Sequence, residues 1–289
     1  MVTGVAGLVA YRRLLRNREE ALSWQNKRLP ALDVLACPEC HGVLSLKILE
    51  DAEGYSCPNC QINFPVVDGI SHFIQAEALS GLNRRFARMY DRFSWGYRAF
   101  SKVAFAGIGK SEEKARRQVT DRLEPKGGRV LEVSIGPGVN LPYLVGRTDV
   151  GEIYGLDISI GQLNRCREYV ARQGWEVQLQ LGNAELLPYL DNTFEAVFHV
   201  GGINFFNDKK KAIEEMIRVA KPGARILICD ENEKGAQAYE RLLPGFKRMA
   251  GKARQVVAAP IDLVPPEMQD VCLFDVWKGW MYCIEFVKA

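Results

Sequence analysis

Two acidic residues flank a glycine-rich turn near the middle of the chain. Glu132 lies in an apolar run at 130–133, and Asp157 ends a second apolar run at 153–156. The turn after the first run reads SIGPG and precedes a stretch compatible with a helix. In a doubly wound sheet, such a turn lets the backbone approach a ligand, and an acid after the next strand accepts hydrogen bonds from ribose hydroxyls. The pattern therefore predicts a site for a ligand that carries a ribose.

The turn does not match the pattern that binds dinucleotides. Leu141 occupies the position of the last glycine of that pattern, and Glu132 would repel a pyrophosphate. A ligand with a cationic amino-acid end fits better, with its amino group near Glu132, its carboxylate near the glycine backbone and its ribose on Asp157. S-adenosylmethionine has this layout, and we predict it as the cofactor.

Four segments in order carry a family resemblance across residues 84–234. They are EVSIGPG at 132–138, GLDIS at 155–159, LGNAELLPYLDNTFEAVF at 181–198 and RVAKPGARILICD at 218–230. Together they resemble the motifs of class I S-adenosylmethionine-dependent methyltransferases of the methyltransferase-11 type. The resemblance implies a Rossmann-like α/β fold with a seven-stranded doubly wound sheet. It also implies cofactor contacts at Glu132, Ser134, Gly136, Gly138, Asn140, Asp157, Ile158, Asn183, Ala184 and Tyr90.

Two positions depart from the family pattern. Ser134 replaces the first glycine of the turn motif and adds a side chain beside the ligand. Asn183 replaces the acid on the adenine side and removes its charge. Both changes are of a kind that can weaken cofactor binding. A non-catalytic protein that binds S-adenosylmethionine or another nucleotide is therefore an alternative.

Methyl transfer from a sulfonium is an in-line displacement, in which alignment and exclusion of water contribute most. A general base is needed only when the nucleophile must lose a proton. His199, at the end of a predicted strand, is one candidate base, and a histidine satisfied within the pocket wall is the alternative. Tyr90 is the second catalytic candidate, because Met89-Tyr90-Asp91 resembles the Tyr-Asp pair that lies over the cofactor in the family. Tyr97 is a further candidate for substrate contact.

Two Cys-x-x-Cys pairs precede this region. Their cysteines are Cys37, Cys40, Cys57 and Cys60, and the pairs enclose sixteen residues. Two such pairs present four thiolates from tight turns and predict a closed, structural zinc site with no open position for a substrate. The ion compensates for the small core that about 40 residues can build. The tail NFPVVDGI at 63–70 resembles a small zinc-ribbon protein that activates several methyltransferases as a separate subunit.

The composition restricts the partners and the compartment. The 289 residues carry a net charge of +3, too little for the basic field of a nucleic-acid binder. Some guanine-N1 rRNA methyltransferases also carry a zinc module before this fold, so an rRNA base methyltransferase is an alternative. The cysteines outside the two pairs are scattered in apolar segments and predict no disulfide framework. This usage favours a reducing, cytoplasmic compartment.

The hydrophobic pattern predicts the elements that position these residues. Strands are expected at 129–133, 152–156, 176–181, 194–200 and 224–230, and helices at 161–173, 208–220 and about 236–250. A β-hairpin over 271–287 closes the chain. We predict four regions: a helical extension over 1–30, a zinc ribbon over 31–75, a helical cap over 79–123 and the cofactor-binding domain over 124–289.

Residues 5–28 predict a helix that is apolar at its start and charged later. Three interpretations are open: packing on the main domain, a peripheral membrane anchor with arginines on lipid phosphates, and disorder. The segment GGINFFNDKKKA at 201–212 resembles ubiquinone and menaquinone C-methyltransferases, with Asn204 and Phe205 in place of an Arg-Asn pair. The likeness implies a shared scaffold, but the substrate need not be the same. The apolar residues of the predicted pocket and the apolar amino-terminal segment favour a small hydrophobic, lipid- or quinone-like acceptor.

Overall fold

The structure is a computed structural model that describes residues 32–49, 52–74, 79–94, 111–242 and 257–289. The predicted helix at 5–28, the candidate Tyr97 and the second half of the predicted helix at about 236–250 lie outside these residues. Among the helices that are described, none is long and apolar enough to cross a membrane.

The four-cysteine region folds into short antiparallel strands. They are β1 (Ser45–Leu49), β2 (Ala52–Ser56), β3 (Asn63–Val67) and β4 (Ile70–His72). Three aromatic side chains fill its small core, with the Phe73 ring 6.0 Å from that of Tyr55 and 5.1 Å from that of Phe64. These rings belong to the same hydrophobic cluster as Leu131 and Tyr154 of the following region, so the core of the ribbon is continuous with the larger core.

The remaining described chain alternates strands and helices. These are α1 (Gly81–Phe93), α2 (Glu112–Thr120), β5 (Val130–Val133), β6 (Ile153–Asp157), α3 (Ile160–Gln173), β7 (Gln178–Leu181), β8 (Phe194–Val200), α4 (Lys209–Val219), β9 (Ala220–Glu231), α5 (Glu233–Leu242), β10 (Gln269–Val276) and β11 (Met281–Val287). Short 3-10 turns lie at Leu141–Tyr143, Ile203–Phe205 and Ile261–Leu263.

Seven strands form the predicted sheet, in the order β7-β6-β5-β8-β9-β11-β10. The first five run parallel, and β11 runs antiparallel to both of its neighbours. The chain moves outward from β5 to β7 and then returns to β8 on the other side of β5. The carboxyl ends of β5, β6 and β8 therefore meet at a topological switch point, where sheets of this kind bind ligands. The predicted doubly wound fold is confirmed.

The ribbon continues this sheet. Strand β4 pairs in parallel with β7, with Ser71 opposite Gln180 and His72 opposite Leu181. The described strands thus form one sheet of eleven strands. The ribbon strands were predicted as a separate region, but they cover the edge of the seven-stranded sheet, which would otherwise expose unpaired backbone groups.

The connection from β5 to β6 differs from the prediction. A helix-compatible stretch was expected there, but the chain makes a single 3-10 turn at Leu141–Tyr143. Gly146 has a left-handed φ of 82°, a conformation that a right-handed helix does not allow. The helix after β6 does form, because the Ser159 side chain caps its start and Gly174 ends it with a left-handed φ of 67°.

One disulfide joins neighbouring strands. Cys229 in β9 lies opposite Cys283 in β11, with their Cα atoms 4.1 Å apart. The sequence predicts no disulfide framework, and this single bridge departs from that prediction at these two residues. The bridge closes a separation of 54 residues, and the strand register that brings the thiols together cannot be read from their spacing.

Candidate active site

A cleft lies where β5, β6 and β8 end. Its lining comes from the turn after β5, the end of β6, the loops after β7 and β8, and the inner face of α1. Most of the predicted cofactor residues line it together: Glu132, Ser134, Gly136, Asn140, Asp157, Ile158, Asn183, Ala184 and Tyr90.

Asp157 holds the glycine turn in place. Its Oδ2 accepts a hydrogen bond from the Gly136 N–H (2.8 Å), and its Oδ1 accepts one from the Ser159 N–H (2.9 Å). Burial raises the pKa of Asp157 to about 6, although these backbone hydrogen bonds favour the charged form. The carboxylate is therefore charged at neutral pH. A Cβ at Gly136, where φ is 54°, would meet no atom within 4 Å, so the turn leaves open space against its backbone.

Glu132 is buried beneath the turn, with 1% of its surface exposed. Its Oε1 accepts a hydrogen bond from Asn140 Nδ2 at 2.6 Å, whereas its buried Oε2 has no hydrogen-bond partner. Burial raises the pKa of Glu132 to about 8, and the Asn140 hydrogen bond opposes this effect. A buried acceptor without a partner is costly, and a cationic donor in the cleft would satisfy it.

The loop after β7 forms the side of the cleft predicted for adenine. Asn183 turns its Oδ1 back onto the Glu185 N–H (3.1 Å). Gly182 lies so close to β6 that a Cβ there would be 2.5 Å from the Leu156 side chain. Ile158 and Ala184 add apolar surface to the lining. This combination of apolar surface and a local polar turn suits a flat heterocycle.

Helix α1 lies across the cleft and is anchored at both ends. Near its end, Asp91 Oδ1 accepts hydrogen bonds from Ser159 Oγ (2.6 Å) and the Gly161 N–H (2.8 Å). Near its start, Asn83 Nδ2 donates to Glu185 Oε1 at 2.9 Å. Between these anchors, Tyr90 faces the cleft. The helix therefore contacts the loops after β6 and β7, both of which contribute to the lining.

Two predicted site residues lie off the cleft. His199 is fully buried, its Nδ1 lies 3.0 Å from the Val133 carbonyl oxygen, and its Nε2 accepts a hydrogen bond from the Ile203 N–H at 2.9 Å. These partners require a neutral ring with its proton on Nδ1, and burial lowers the pKa further. A general base at His199 does not fit this geometry. Gly138 packs inside the wall, where a Cβ would lie 2.8 Å from Cys166 Sγ.

An aromatic group on the other side of the cleft was not assigned from the sequence. The rings of Phe86 and Phe205 stack with centroids 3.9 Å apart, and the Tyr90 ring lies 6.4 Å from that of Phe86. Phe206 and the Gly201–Gly202 backbone also line this side. Phe86 belongs to the predicted helical cap, but nothing in the sequence of the loop after β8 indicated that Phe205 would stack on it.

Ser134 has a φ of 61°, a conformation that residues with a Cβ rarely adopt. We expect Ser134→Gly to stabilise the protein by about 0.5–1 kcal/mol in denaturant unfolding, because relief of backbone strain exceeds the added freedom of the unfolded chain. Lys126→Gly, at φ 51° in a turn, is the matched control. Both should gain stability, and only Ser134→Gly should also tighten cofactor binding. A loss of stability at Ser134 would contradict this account of the strain.

The four paired cysteines come together as the sequence predicts. Their sulfur atoms all lie within 4.8 Å of one another, with 3.9 Å between Cys37 and Cys60 and 3.6 Å between Cys40 and Cys57. A tetrahedral zinc ion with Zn–S bonds of about 2.3 Å separates its sulfurs by about 3.8 Å. The donor set therefore fits a closed four-thiolate zinc site, which would hold the ribbon together.

The ribbon is also bonded to the adenine-side segment of the cleft. The Phe73 N–H donates to the Leu181 carbonyl at 2.8 Å, just before the lining residues 182–184. After them, the Ala36 N–H donates to the Pro188 carbonyl (3.0 Å), and the Leu190 N–H donates to the Val34 carbonyl (2.9 Å). Both ends of this cleft segment are thus held by residues of the ribbon.

The sheet order and the cleft define the class I methyltransferase fold. The methyltransferase domain family matches residues 131–228, and the Trm112p-like protein family matches residues 28–69. A phosphatidylethanolamine N-methyltransferase of Cereibacter sphaeroides is 31% identical over 166 residues, 56% of this chain and 80% of that protein. The chain belongs to the S-adenosylmethionine-dependent methyltransferases, and its ribbon is Trm112p-like.

Two further similarities accompany this assignment. A demethylmenaquinone methyltransferase of Corynebacterium kroppenstedtii is 33% identical over 148 residues, 51% of this chain, and the chain spans only 60% of that relative's length. A solved complex of a Haloferax volcanii Trm112 methyltransferase activator with a methyltransferase has a TM-score of 0.53 at 15% identity. That likeness covers 69% of this chain and 97% of the other, and it concerns the fold alone.

Proposed function

We propose that the protein transfers a methyl group from S-adenosylmethionine to a small apolar acceptor of the lipid or quinone class. The aromatic side of the cleft carries this proposal. The stacked rings of Phe86 and Phe205, together with Tyr90 and Phe206, offer apolar surface opposite the polar turn. The two named relatives act on phosphatidylethanolamine and demethylmenaquinone, which have this character.

The polar side of the cleft would hold the cofactor. In this placement, Glu132 Oε2 takes the amino group, the backbone around Gly136 takes the carboxylate, and Asp157 takes the ribose hydroxyls. Asn183 and Ile158 flank the adenine. The bound cofactor supplies a methyl group already activated on a sulfonium, so the chain's own residues mainly align the two reactants and exclude water.

Tyr90 is the described side chain best placed to handle a proton of the acceptor. Glu132 and Asp157 are committed to the cofactor in this placement, and both nitrogens of His199 are bonded to backbone. Tyr90 faces the cleft beside the Phe86 ring. An amine acceptor that arrives uncharged needs no base, whereas a quinol must lose a hydroxyl proton as its ring carbon is methylated.

The ribbon would act as a permanent scaffold for the cleft. A structural zinc ion on Cys37, Cys40, Cys57 and Cys60 would keep the ribbon folded, and the ribbon would hold the 181–190 segment. Four thiolates that bind a metal suit a reducing compartment such as the cytoplasm, where the Cys229–Cys283 bridge would persist only because it is fully buried. Membrane contact through residues 1–28 is a separate proposal, and those residues lie outside the described chain.

The test is a transfer assay with methyl-labelled S-adenosylmethionine. The acceptors are demethylmenaquinol, phosphatidylethanolamine and structured RNA, each offered separately. We expect label in one of the two lipid products. Phe205→Ala should lower turnover of that acceptor by about tenfold, because an aromatic contact is lost, while cofactor affinity changes by less than about twofold.

Phe274→Ala is the matched control, since Phe274 is an aromatic of the carboxyl-terminal hairpin that does not line the cleft. It should leave turnover unchanged. Label in RNA and not in either lipid would overturn the proposed acceptor class and favour an rRNA methyltransferase. Absence of cofactor binding would overturn the enzymatic role itself.

A further inference from the structure

A buried arginine stands behind the cofactor turn. Arg116 lies in α2, and 4% of its surface is exposed. One guanidinium nitrogen, Nη1, donates to Asn140 Oδ1 at 2.8 Å. The other two, Nε and Nη2, lie 3.0 and 2.9 Å from Glu112 Oε1. Arg116 matched no motif in the sequence, yet it contacts a residue that lines the cleft.

Arg116 determines which way the Asn140 amide faces. A guanidinium can only donate hydrogen bonds, so Asn140 must turn its Oδ1 toward Arg116. The amide Nδ2 then points the other way and donates to Glu132 Oε1 at 2.6 Å. That bond occupies one carboxylate oxygen and leaves Oε2, the buried oxygen without a partner. The result is one acceptor oxygen of Glu132 left for a ligand.

The carboxyl-terminal hairpin holds the Arg116 side chain in place. Trp277 lies between β10 and β11, and its ring centroid is 5.7 Å from Arg116 Cζ. The Trp277 indole N–H donates to the Ala115 carbonyl at 2.8 Å, and its backbone N–H donates to Gln118 Oε1 at 3.2 Å. A guanidinium held by Glu112, Asn140 and this ring has little freedom to move. Its hydrogen bond to Asn140 is therefore preorganised.

We propose that Arg116 is a positioning residue for the amino group of the cofactor, acting through Asn140 and Glu132. This inference rests on the proposed placement of the cofactor, with its amino group on Glu132. Arg116 does two things there. It holds the Asn140 amide so that Glu132 Oε2 faces the ligand, and its positive charge favours the ionised form of Glu132 that pairs with an ammonium group.

Two charged residues act on Glu132 in opposite directions. Arg116 from α2 lowers the pKa of Glu132, and Asp157 at the end of β6 raises it, while burial has the largest effect and brings the value to about 8. Glu112 neutralises part of the Arg116 charge. The pKa of Asp157 itself is about 6, so Asp157 stays charged above neutral pH.

The pH dependence of binding follows from these groups. Binding needs an ionised Glu132 and a protonated amine. The amine of a free amino acid loses its proton at a higher pH than a chain-terminal amine, whose pKa is about 8, because its own carboxylate is negatively charged. Affinity should therefore rise as Glu132 ionises, reach a maximum above pH 8 and fall as the amine loses its proton. Without Arg116, the pKa of Glu132 rises further, so the maximum moves to higher pH and affinity at neutral pH falls.

The experiment is calorimetric titration with S-adenosylhomocysteine, which keeps the amino-acid end, between about pH 6.5 and pH 9.5. Arg116→Met is compared with Arg117→Met, which removes the same charge from the same helix at a side chain that is 46% exposed. Arg116→Met should weaken binding at neutral pH by about tenfold and move the maximum to higher pH. Arg117→Met should stay within about twofold of the wild type, with the same maximum.

Arg116→Lys distinguishes the effect of losing the positive charge from the effect of losing the guanidinium geometry. It keeps the charge but not the planar fork, so it should bind more weakly than the wild type with a smaller movement of the pH maximum. If both Arg116 variants bind more weakly but keep the pH maximum of the wild type, the role of Arg116 is merely structural and the proposal is overturned. The proposal is also overturned if Arg116→Met and Arg117→Met bind the ligand equally well. Failure of the wild type to bind would instead reject the proposed function.

Discussion

Asp157→Ala is expected to weaken S-adenosylmethionine binding by about 100-fold or more, the largest effect of any single change in the cleft. A carboxylate that accepts hydrogen bonds from two ribose hydroxyls contributes about 1.5–3 kcal/mol for each bond to a charged group. The change also leaves the N–H groups of the half-buried Gly136 and the buried Ser159 without their acceptor. The glycine turn would therefore lose its ligand contact and its internal support together.

Calorimetry on the folded variant measures this effect, with thermal melting to verify the fold. Asp157→Asn keeps the shape and one acceptor oxygen, so its loss should be smaller, about tenfold. Asp121→Ala removes a carboxylate that is 54% exposed and does not line the cleft, and it should bind as the wild type does. Unchanged affinity in Asp157→Ala would mean that the cofactor does not use this carboxylate.

Loss of the ribbon cysteines is the second large effect. Cys57→Ser removes one of four clustered thiolates, and a zinc site that folds a ribbon contributes several kcal/mol, with values on the order of 10 kcal/mol in isolated zinc peptides. We expect the melting temperature to fall by about 10 °C or more. Because the ribbon is bonded to both ends of the 181–190 segment, cofactor affinity should fall as well.

The measurement combines metal analysis, thermal melting and cofactor titration on the same preparations. The wild type should carry about one zinc ion per chain, and a strong chelator should reproduce the Cys57→Ser result. Cys272→Ser is the matched control, because Cys272 is exposed in β10 and outside the cluster. A Cys57→Ser protein that loses its metal but keeps full cofactor affinity would contradict the proposed support of the cleft by the ribbon.

The parts of the site that were predictable from the sequence depend on local spacing. Glu132, the glycine turn and Asp157 follow directly on strand ends, and strand ends of a doubly wound sheet converge on one edge. The cluster of four cysteines was predictable for a similar reason, because each pair lies in one tight turn and a single ion would draw the two turns together. Short-range geometry and one fold rule were sufficient for both sites.

The rest depends on contacts between segments that are distant in the chain. Asn83 meets Glu185 across 102 positions, and Trp277 meets Ala115 across 162. His199 has the residue type and strand position of a base, but the backbone that occupies both of its nitrogens becomes visible only in the folded chain. Burial and register decide these roles, and neither is written in the spacing of residues.

The most direct test of the central claim is a crystal structure of the protein with bound S-adenosylhomocysteine. The predicted result is one ligand in the cleft, with its ribose hydroxyls on Asp157, its carboxylate against the backbone around Gly136 and its amino group on Glu132 Oε2. A ligand bound elsewhere, or one that leaves the Asp157 carboxylate bonded only to Gly136 and Ser159, would contradict the assignment of this cleft.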